Sequence, residues 1–208
     1  MPILDKDISI DNHVSLWKIT ESWTELIKLF ENDAEIKALI RNFKSDVKKK
    51  QFLASRFLLK MEFGDWKTLH SINGKPRPIN NSIEISITHD RGIAGIIKSI
   101  NPCGIDIQEI TPKVMRIKSK FINENDIYFL SEKEKDLTVL WCAKEALYKI
   151  NGKPNIFFKE HMIIQKSNEE NIVIGKIIHP EFQKDYKLKV HFIENYCLVY
   201  TLNNMINL

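Results

Sequence analysis

Between residues 83 and 88 the chain reads Ile-Glu-Ile-Ser-Ile-Thr, an unbroken alternation of apolar and polar side chains. Successive side chains of a strand point to opposite faces, so this period of two predicts a half-buried strand over Ile83 to Thr88. Gly92 to Ile97 and Cys103 to Ile107 read as two further strands, with hairpins as the natural connections. A different period governs the preceding stretch, where Val47, Ala54, Leu58 and Met61 fall at helical spacing. They predict one long helix from Asp46 to Phe63, its lysines on the opposite face and Gly64 at its end. Nearer the N-terminus, Val14 to Thr20 reads as a strand. Ser22-Trp23-Thr24-Glu25 ahead of Leu26, Ile27 and Leu29 reads as a capping box that opens a short helix.

The second half repeats this logic. Helical stretches around Asn123 to Leu130 and Asp136 to Ile150 precede strands at Met162 to Lys166, Ile172 to Ile178, Leu188 to Ile193 and Tyr196 to Leu202. Gly74-Lys75-Pro76 and Gly152-Lys153-Pro154, each placed after a helix, add a short internal echo. The expected fold class is α+β: two similar α/β halves in a pseudo-twofold arrangement, each a small, mostly antiparallel sheet packed with helices. No Pro-, Gly- or Ser-rich linker separates the halves, so the boundary is set near Pro102, with residues 1–102 and 103–208 as the two units.

Composition narrows the function classes. The N-terminal residues mix acids, bases and polar groups where a signal peptide would be apolar, and no stretch approaches the ~18 apolar residues of a membrane span. The expectation is a cytoplasmic protein without a membrane partner. Cys103, Cys142 and Cys197 are odd in number and widely spaced, which predicts reduced structural thiols and neither a disulfide framework nor a zinc site. The net charge of +4 is unevenly placed: Lys37, Arg41, Lys44, Lys48, Lys49, Lys50, Arg56 and Lys60 face a single acid, Asp46, within that span. Such a field suits a phosphorylated cofactor, an acidic protein or nucleic acid, and equally a solvated helix face with no partner. No helix-turn-helix, zinc-finger or RNP pattern supports the nucleic-acid reading.

Four short segments carry chemistry: Gly74-Lys75-Pro76; Ser86-Ile87-Thr88-His89; Gly104-Ile105-Asp106-Ile107-Gln108; and Trp141-Cys142-Ala143-Lys144-Glu145-Ala146-Leu147-Tyr148-Lys149. Each has a plain structural reading alone. Gly-Lys-Pro is a common turn and does not complete a P-loop. His89 ends a strand, Asp106 is placed to cap a turn, and Glu145 with Lys149 forms an i, i+4 ion pair. Together they offer more. Magnesium takes hard oxygen ligands and few carboxylates, leaving positions for phosphates and water, and Asp106 and Glu145 are able to supply that pair. Trp141, Glu145 and Lys149 share one helical stripe, while Lys144 points to an adjoining face.

The order and spacing of these segments resemble the phosphopantetheinyl transferases of the surfactin-synthetase-activating type, whose pattern is G-K-P, then S-H-S or a variant, then G-[IV]-D-[IV]-E, then W-x-x-K-E-A-x-x-K. The resemblance is clear over roughly residues 50 to 155. It implies a transferase that moves the 4'-phosphopantetheine arm of coenzyme A to a serine of an apo acyl or peptidyl carrier protein, in lipid or secondary-metabolite biosynthesis. It further implies that Asp106 and Glu145 bind Mg2+, with Gln108 a secondary ligand, and that Lys144 and Lys149 steady the pyrophosphate. By the same resemblance Lys75, Pro76, Thr88 and His89 meet the nucleotide end of coenzyme A, Arg56 adds to the anion site, and Glu145 with Lys144 forms the catalytic pair. Two halves in one chain would form such a site as a monomer.

Two departures stand out. Gln108 occupies the place of a third acidic ligand, with Glu109 next to it as a substitute, and Thr-His-Asp replaces Ser-His-Ser, which puts Asp90 beside His89. The altered Gln108 motivates the alternative of a non-catalytic relative that binds coenzyme A or a carrier protein.

Overall fold

The computed structural model describes residues 3–9, 12–67, 69–72, 75–78, 83–126, 133–151 and 155–205. In chain order the elements are β1 (Ile3–Ser9), β2 (Asn12–Lys18), α1 (Trp23–Leu26), α2 (Ala34–Ile40), α3 (Asp46–Phe63), β3 (Leu69–Ile72), β4 (Lys75–Pro78), β5 (Glu84–Asp90), β6 (Ile93–Ser99), β7 (Ile105–Glu109), α4 (Lys113–Ile117), α5 (Glu134–Asn151), α6 (Phe158–His161), β8 (Met162–Lys166), β9 (Ile172–His179), β10 (Phe182–Ile193) and β11 (Tyr196–Met205). Strands β1-β2-β6-β5 form one antiparallel sheet and β7-β11-β10-β9-β8 a second, while β3 and β4 pair as a separate ribbon.

Each of the two larger sheets buries one face under an 18-residue helix. Leu53, Leu58 and Leu59 of α3 pack with Trp17, Ile85 and Ile96, and the Phe57 ring meets Trp17 edge-on at 5.2 Å. On the second sheet, Leu140, Cys142 and Leu147 of α5 pack with Met162, Leu188 and Val199. A third apolar cluster joins the opposite face of the first sheet to β7 and β11, through Val14, Leu16 and Ile97 against Ile105, Ile107 and Leu198. Full burial of each such side chain contributes about 1.5–3 kcal/mol. The layer order is therefore helix, sheet, sheet, helix, an α+β fold of two antiparallel sheets with helices.

Several local expectations are met. Helix α3 spans Asp46–Phe63 and ends on Gly64, whose φ of 79° is the left-handed turn that glycine adopts without a Cβ penalty. Ser22 and Glu25 close a reciprocal capping box. The three cysteines are buried thiols that form no disulfide. No helix among the described residues is long and apolar enough to cross a membrane.

Others need correction. Strand β5 is buried on both faces at its centre, with Ser86 and Thr88 enclosed as well as Ile85, because a second sheet covers its polar side. Strands β5 and β6 form the expected hairpin, but β7 leaves for the other sheet and pairs with β11. The segment 123–126 is a turn and not the start of a helix: Asn123 N donates to the Asp126 carboxylate at 2.7 Å and Asn125 N to the Asn123 side chain at 2.8 Å, so side chains take the backbone donors a helix would need. Residues 127–130 lie outside the described residues. Lys75 opens β4 and follows strand β3 instead of a helix, while Gly74 and the triplet 152–154 are also outside the described residues.

Where α3 ends, Glu62 reaches the sheet beneath it. Its carboxylate accepts from Ser15 and His13 of β2 and pairs with Lys98 of β6. Since His13 and Lys98 lie at the opposite end of their strands from Lys18 and Ile93, α3 runs antiparallel to β2 and its basic N-terminal half lies toward the His89 end of the sheet. Partial burial works to raise the Glu62 pKa, but Lys98, Ser15 and His13 more than offset it and leave it lowered. A lowered folded-state pKa stabilises above the unfolded value near 4.5, and that contribution is lost as pH falls through the folded pKa. Glu62→Gln is expected to lose about 2 kcal/mol at neutral pH. In urea titrations at several pH values, the gap to wild type should narrow in acid, and a pH-independent gap would contradict the assignment.

Candidate active site

Glycine 104 decides how closely helix α5 approaches strand β7. A Cβ built there would lie 2.0 Å from the Ala146 carbonyl oxygen, so the two backbones touch at a distance no other residue permits. Beside this contact, α5 presents Glu145, one residue before Ala146, and Lys149, three residues after it, toward the face of β7 that carries Asp106 and Gln108. Lys149 Nζ donates to Asp106 Oδ1 and to the Ile105 carbonyl, both at 2.8 Å. Gln108 Nε2 donates to Asp106 Oδ2 at 3.2 Å, which establishes the shared face that two-residue spacing on a strand requires.

Burial raises the Glu145 pKa to about 7; Asp106 adds to that rise and Lys149 opposes it. Glu145 thus lies within the electrostatic reach of both Asp106 and Lys149, which are themselves paired at 2.8 Å. His89, at the end of β5, has its pKa lowered by the protein packed around it and by the Lys149 charge, although part of its surface remains open to solvent. Asp106 and Asp90 pull the other way without prevailing. The Asp90 carboxylate is committed elsewhere, accepting the backbone N–H of Glu109 at 2.6 Å. It neither faces solvent alone nor turns His89 into a stronger base.

The structure joins Asp106, Gln108 and Lys149 in one hydrogen-bonded group, with Glu145 and His89 near enough for their proton affinities to respond to its charges, and it places other candidates elsewhere. Lys144 is fully buried, and its ammonium donates to Asp126 Oδ2 at 2.6 Å, the Phe121 carbonyl at 2.7 Å and the Phe158 carbonyl at 3.2 Å. Three donors meet three acceptors, so none is left for a phosphate. Burial lowers its pKa against the pull of Asp126. Thr88 is 2% exposed and hydrogen-bonded inside the fold, out of reach of a nucleotide. Arg56 lies with its guanidinium 4.8 Å from the Phe52 ring and 5.9 Å from Trp66, directed to the helical layer. Pro76 sits in the β3–β4 ribbon opposite Ser71, and the Lys75 side chain lies outside the described residues. Glu109 does not replace Gln108 at the cluster: it pairs with Arg91 at 3.2 Å.

Beside Gln108 a cavity of about 140 Å³ opens between the end of β7 and helices α4 and α5, walled by Arg91, Glu109, Lys113, Val114 and Trp141. The Trp141 ring is held by Phe121 at 5.2 Å and Phe158 at 5.5 Å. Among the described residues no three His, Cys, Asp or Glu side chains gather into a metal cage. A magnesium ion that shares its shell with substrate phosphates and water needs only one or two carboxylates, and Asp106 with Glu145 fits that donor set.

Residues 102–201 match the 4'-phosphopantetheinyl transferase superfamily. The matched stretch, just under half of the chain, contains Asp106, Gln108, Lys144, Glu145 and Lys149. A search of curated proteins finds no match. Within the matched stretch, sequence reasoning missed Asp126. Its signal was an acid in a polar Asn-Glu-Asn-Asp turn upstream of a helix carrying an inward lysine.

Two substitutions probe this geometry. Gly104→Ala forces α5 off β7 and should destabilise the fold by about 3 kcal/mol in denaturant titration; wild-type stability would show that the helix can shift freely. Lys144→Met leaves Asp126 buried without its cation and should lose about 3–5 kcal/mol. Coenzyme A affinity of the folded Lys144→Met protein, by calorimetry well below its melting temperature, should stay at the wild-type value, and a large loss there would restore Lys144 to the ligand site.

Proposed function

We propose that the protein transfers the 4'-phosphopantetheine group of coenzyme A to a serine hydroxyl of an apo acyl or peptidyl carrier protein, releasing adenosine 3',5'-bisphosphate, with Mg2+ as cofactor. The observation that carries this reading is the Asp106–Lys149–Glu145 cluster, set by the Gly104 contact within the matched stretch. Mg2+ bound by Asp106 and Glu145 would neutralise the pyrophosphate and the charge that develops on the leaving phosphate. Lys149, already directed at Asp106, keeps a third N–H for a phosphate oxygen. Glu145 is the candidate general base for the serine proton, which it would take on the carboxylate oxygen not given to the ion.

In the proposed division of labour, residues 1–102 form the nucleotide side, with His89 and the basic start of α3 toward the 3'-phosphate, and residues 103–208 hold the metal and the catalytic helix. The chain would act as a cytoplasmic monomer, since both parts of the site lie in one polypeptide.

Incubation with coenzyme A, Mg2+ and an apo-carrier, followed by mass spectrometry of the carrier, tests the reading directly. A carrier that gains the phosphopantetheine mass supports it, and an unmodified carrier with tight coenzyme A binding would point to the non-catalytic relative that Gln108 suggests. Asp106→Ala and Glu145→Ala should each abolish transfer with the fold intact. Gln108→Ala should raise the Mg2+ concentration for half-maximal rate and keep substantial activity at saturation, because an amide lacks the charge whose loss is felt at the other two positions. Equal inactivity of all three variants at every Mg2+ concentration would sink the two-carboxylate arrangement.

A further inference from the structure

Thr88 sits one residue before His89, yet its side chain turns away from any ligand. Its hydroxyl accepts the backbone N–H of Ile107 at 3.0 Å and lies 3.2 Å from Asp106 Oδ1. A hydroxyl has one proton, and with the Ile107 N–H on a lone pair that proton is directed at the Asp106 carboxylate. Oδ1 also receives Lys149 at 2.8 Å, so two donors from different elements hold the same oxygen. Oδ2 meets Gln108, a flexible amide on its own strand, at 3.2 Å.

We infer that Thr88 is a positioning residue for Asp106: together with Lys149 it pins Oδ1 and thereby presents Oδ2 to an incoming divalent cation. The inference rests on the reading of Asp106 as a metal ligand, but the pinning of the carboxylate is independent of it. Ser86 supplies the internal comparison. It caps the neighbouring backbone donor, Ile105 N, at 3.3 Å, as Thr88 caps Ile107 N. Thr88 differs in also holding the carboxylate.

The test compares Thr88→Val, which keeps the shape and removes the hydroxyl, with Thr88→Ser, which restores the hydroxyl, and Ser86→Ala, which removes only a backbone cap. Mn2+ is titrated into each full-length protein and followed by electron paramagnetic resonance. Thr88→Val should weaken Mn2+ by about tenfold, the scale of a lost hydrogen bond to a charged group, while Thr88→Ser and Ser86→Ala stay within about twofold of wild type. Unchanged Mn2+ affinity in Thr88→Val would overturn the inference and leave Thr88 as a cap like Ser86. Crystal structures form the second arm: the Asp106 carboxylate should rotate in Thr88→Val and keep its orientation in Thr88→Ser. If the wild type binds no Mn2+, the metal reading of Asp106 falls, and the crystal arm still decides on Thr88, an unrotated carboxylate in Thr88→Val overturning its role. Should the valine variant fail to fold, Thr88→Ala, which makes no packing demand, replaces it in both arms.

Discussion

The two sheets are joined along a line where side chains replace a missing strand. Ile105, Ile107 and Glu109 of β7 turn their N–H groups away from β11, and these are received by Ser86 Oγ, Thr88 Oγ1 and Asp90 Oδ2 of β5 at 3.3, 3.0 and 2.6 Å. Alternate residues of one strand meet alternate residues of the other in step, as a true ladder would. A buried backbone N–H without an acceptor costs about 1–3 kcal/mol, so this edge needs all three oxygens. The opposite edge of the same sheet uses the same device, where Ile164 N of β8 donates to Asp126 Oδ1 at 2.8 Å. Side-chain oxygens thus end the second sheet at both margins and leave less open strand for another chain to pair with. Strand β7 is held between a helix at Gly104 and a polar ladder at β5, and that double constraint fixes where Asp106 points.

Adjacent lysines and acids on α5 take opposite roles for a geometric reason. Residues 145 and 149 fall on the stripe that crosses β7, whereas 144 is rotated by about 100° toward the 121–126 turn and α6. There Lys144 finds a carboxylate and two carbonyls in the interior. Asp126 in turn accepts from Asn123 N and Ile164 N, so every member of the network is satisfied. A buried ion pair with complete partners gives a fixed orientation more than it gives net stability. What it fixes here is the roll of the helix about its axis, and with it the direction of Glu145 one residue on.

Regular periods made much of this fold readable in advance. The span of α3, the Ser22 capping box, strands β8, β9 and β11 and the second half of β10 follow from spacing and turn chemistry, because each is decided by residues close in sequence. Strand β10, by contrast, starts already at Phe182, and Val47 and Met61 of the α3 stripe are exposed. The shared face of Asp106 and Gln108 was equally legible, being a property of any strand. What could not be read depended on distant partners. The alternation Ile-Glu-Ile-Ser-Ile-Thr gives the same period whether its polar face meets water or the edge of another sheet, so Ser86 and Thr88 looked solvated or ligand-facing and are neither. Lys144 inside the signature segment is the same case in stronger form: a motif records which residues occur together, not which way each one faces.

The chemistry of the cluster follows from this mixture of local and distant constraints. The close packing at Gly104 and the hydrogen-bonded β5 ladder bring Asp106 near Glu145 without drawing on any attraction between the two carboxylates. Burial of Glu145 first, and the Asp106 charge second, are expressed in its protonation, with Glu145 raised to about 7. Lys149 offsets part of the excess negative charge, and Gln108 contributes a donor where a third acid would have added to it. A third carboxylate would bind a cation more tightly but would also raise the cost of folding the empty site. If the proposed function holds, the neutral amide would move that balance toward a site that folds readily without a cation and binds one less strongly, so that substrate phosphates would supply a larger share of what holds the ion.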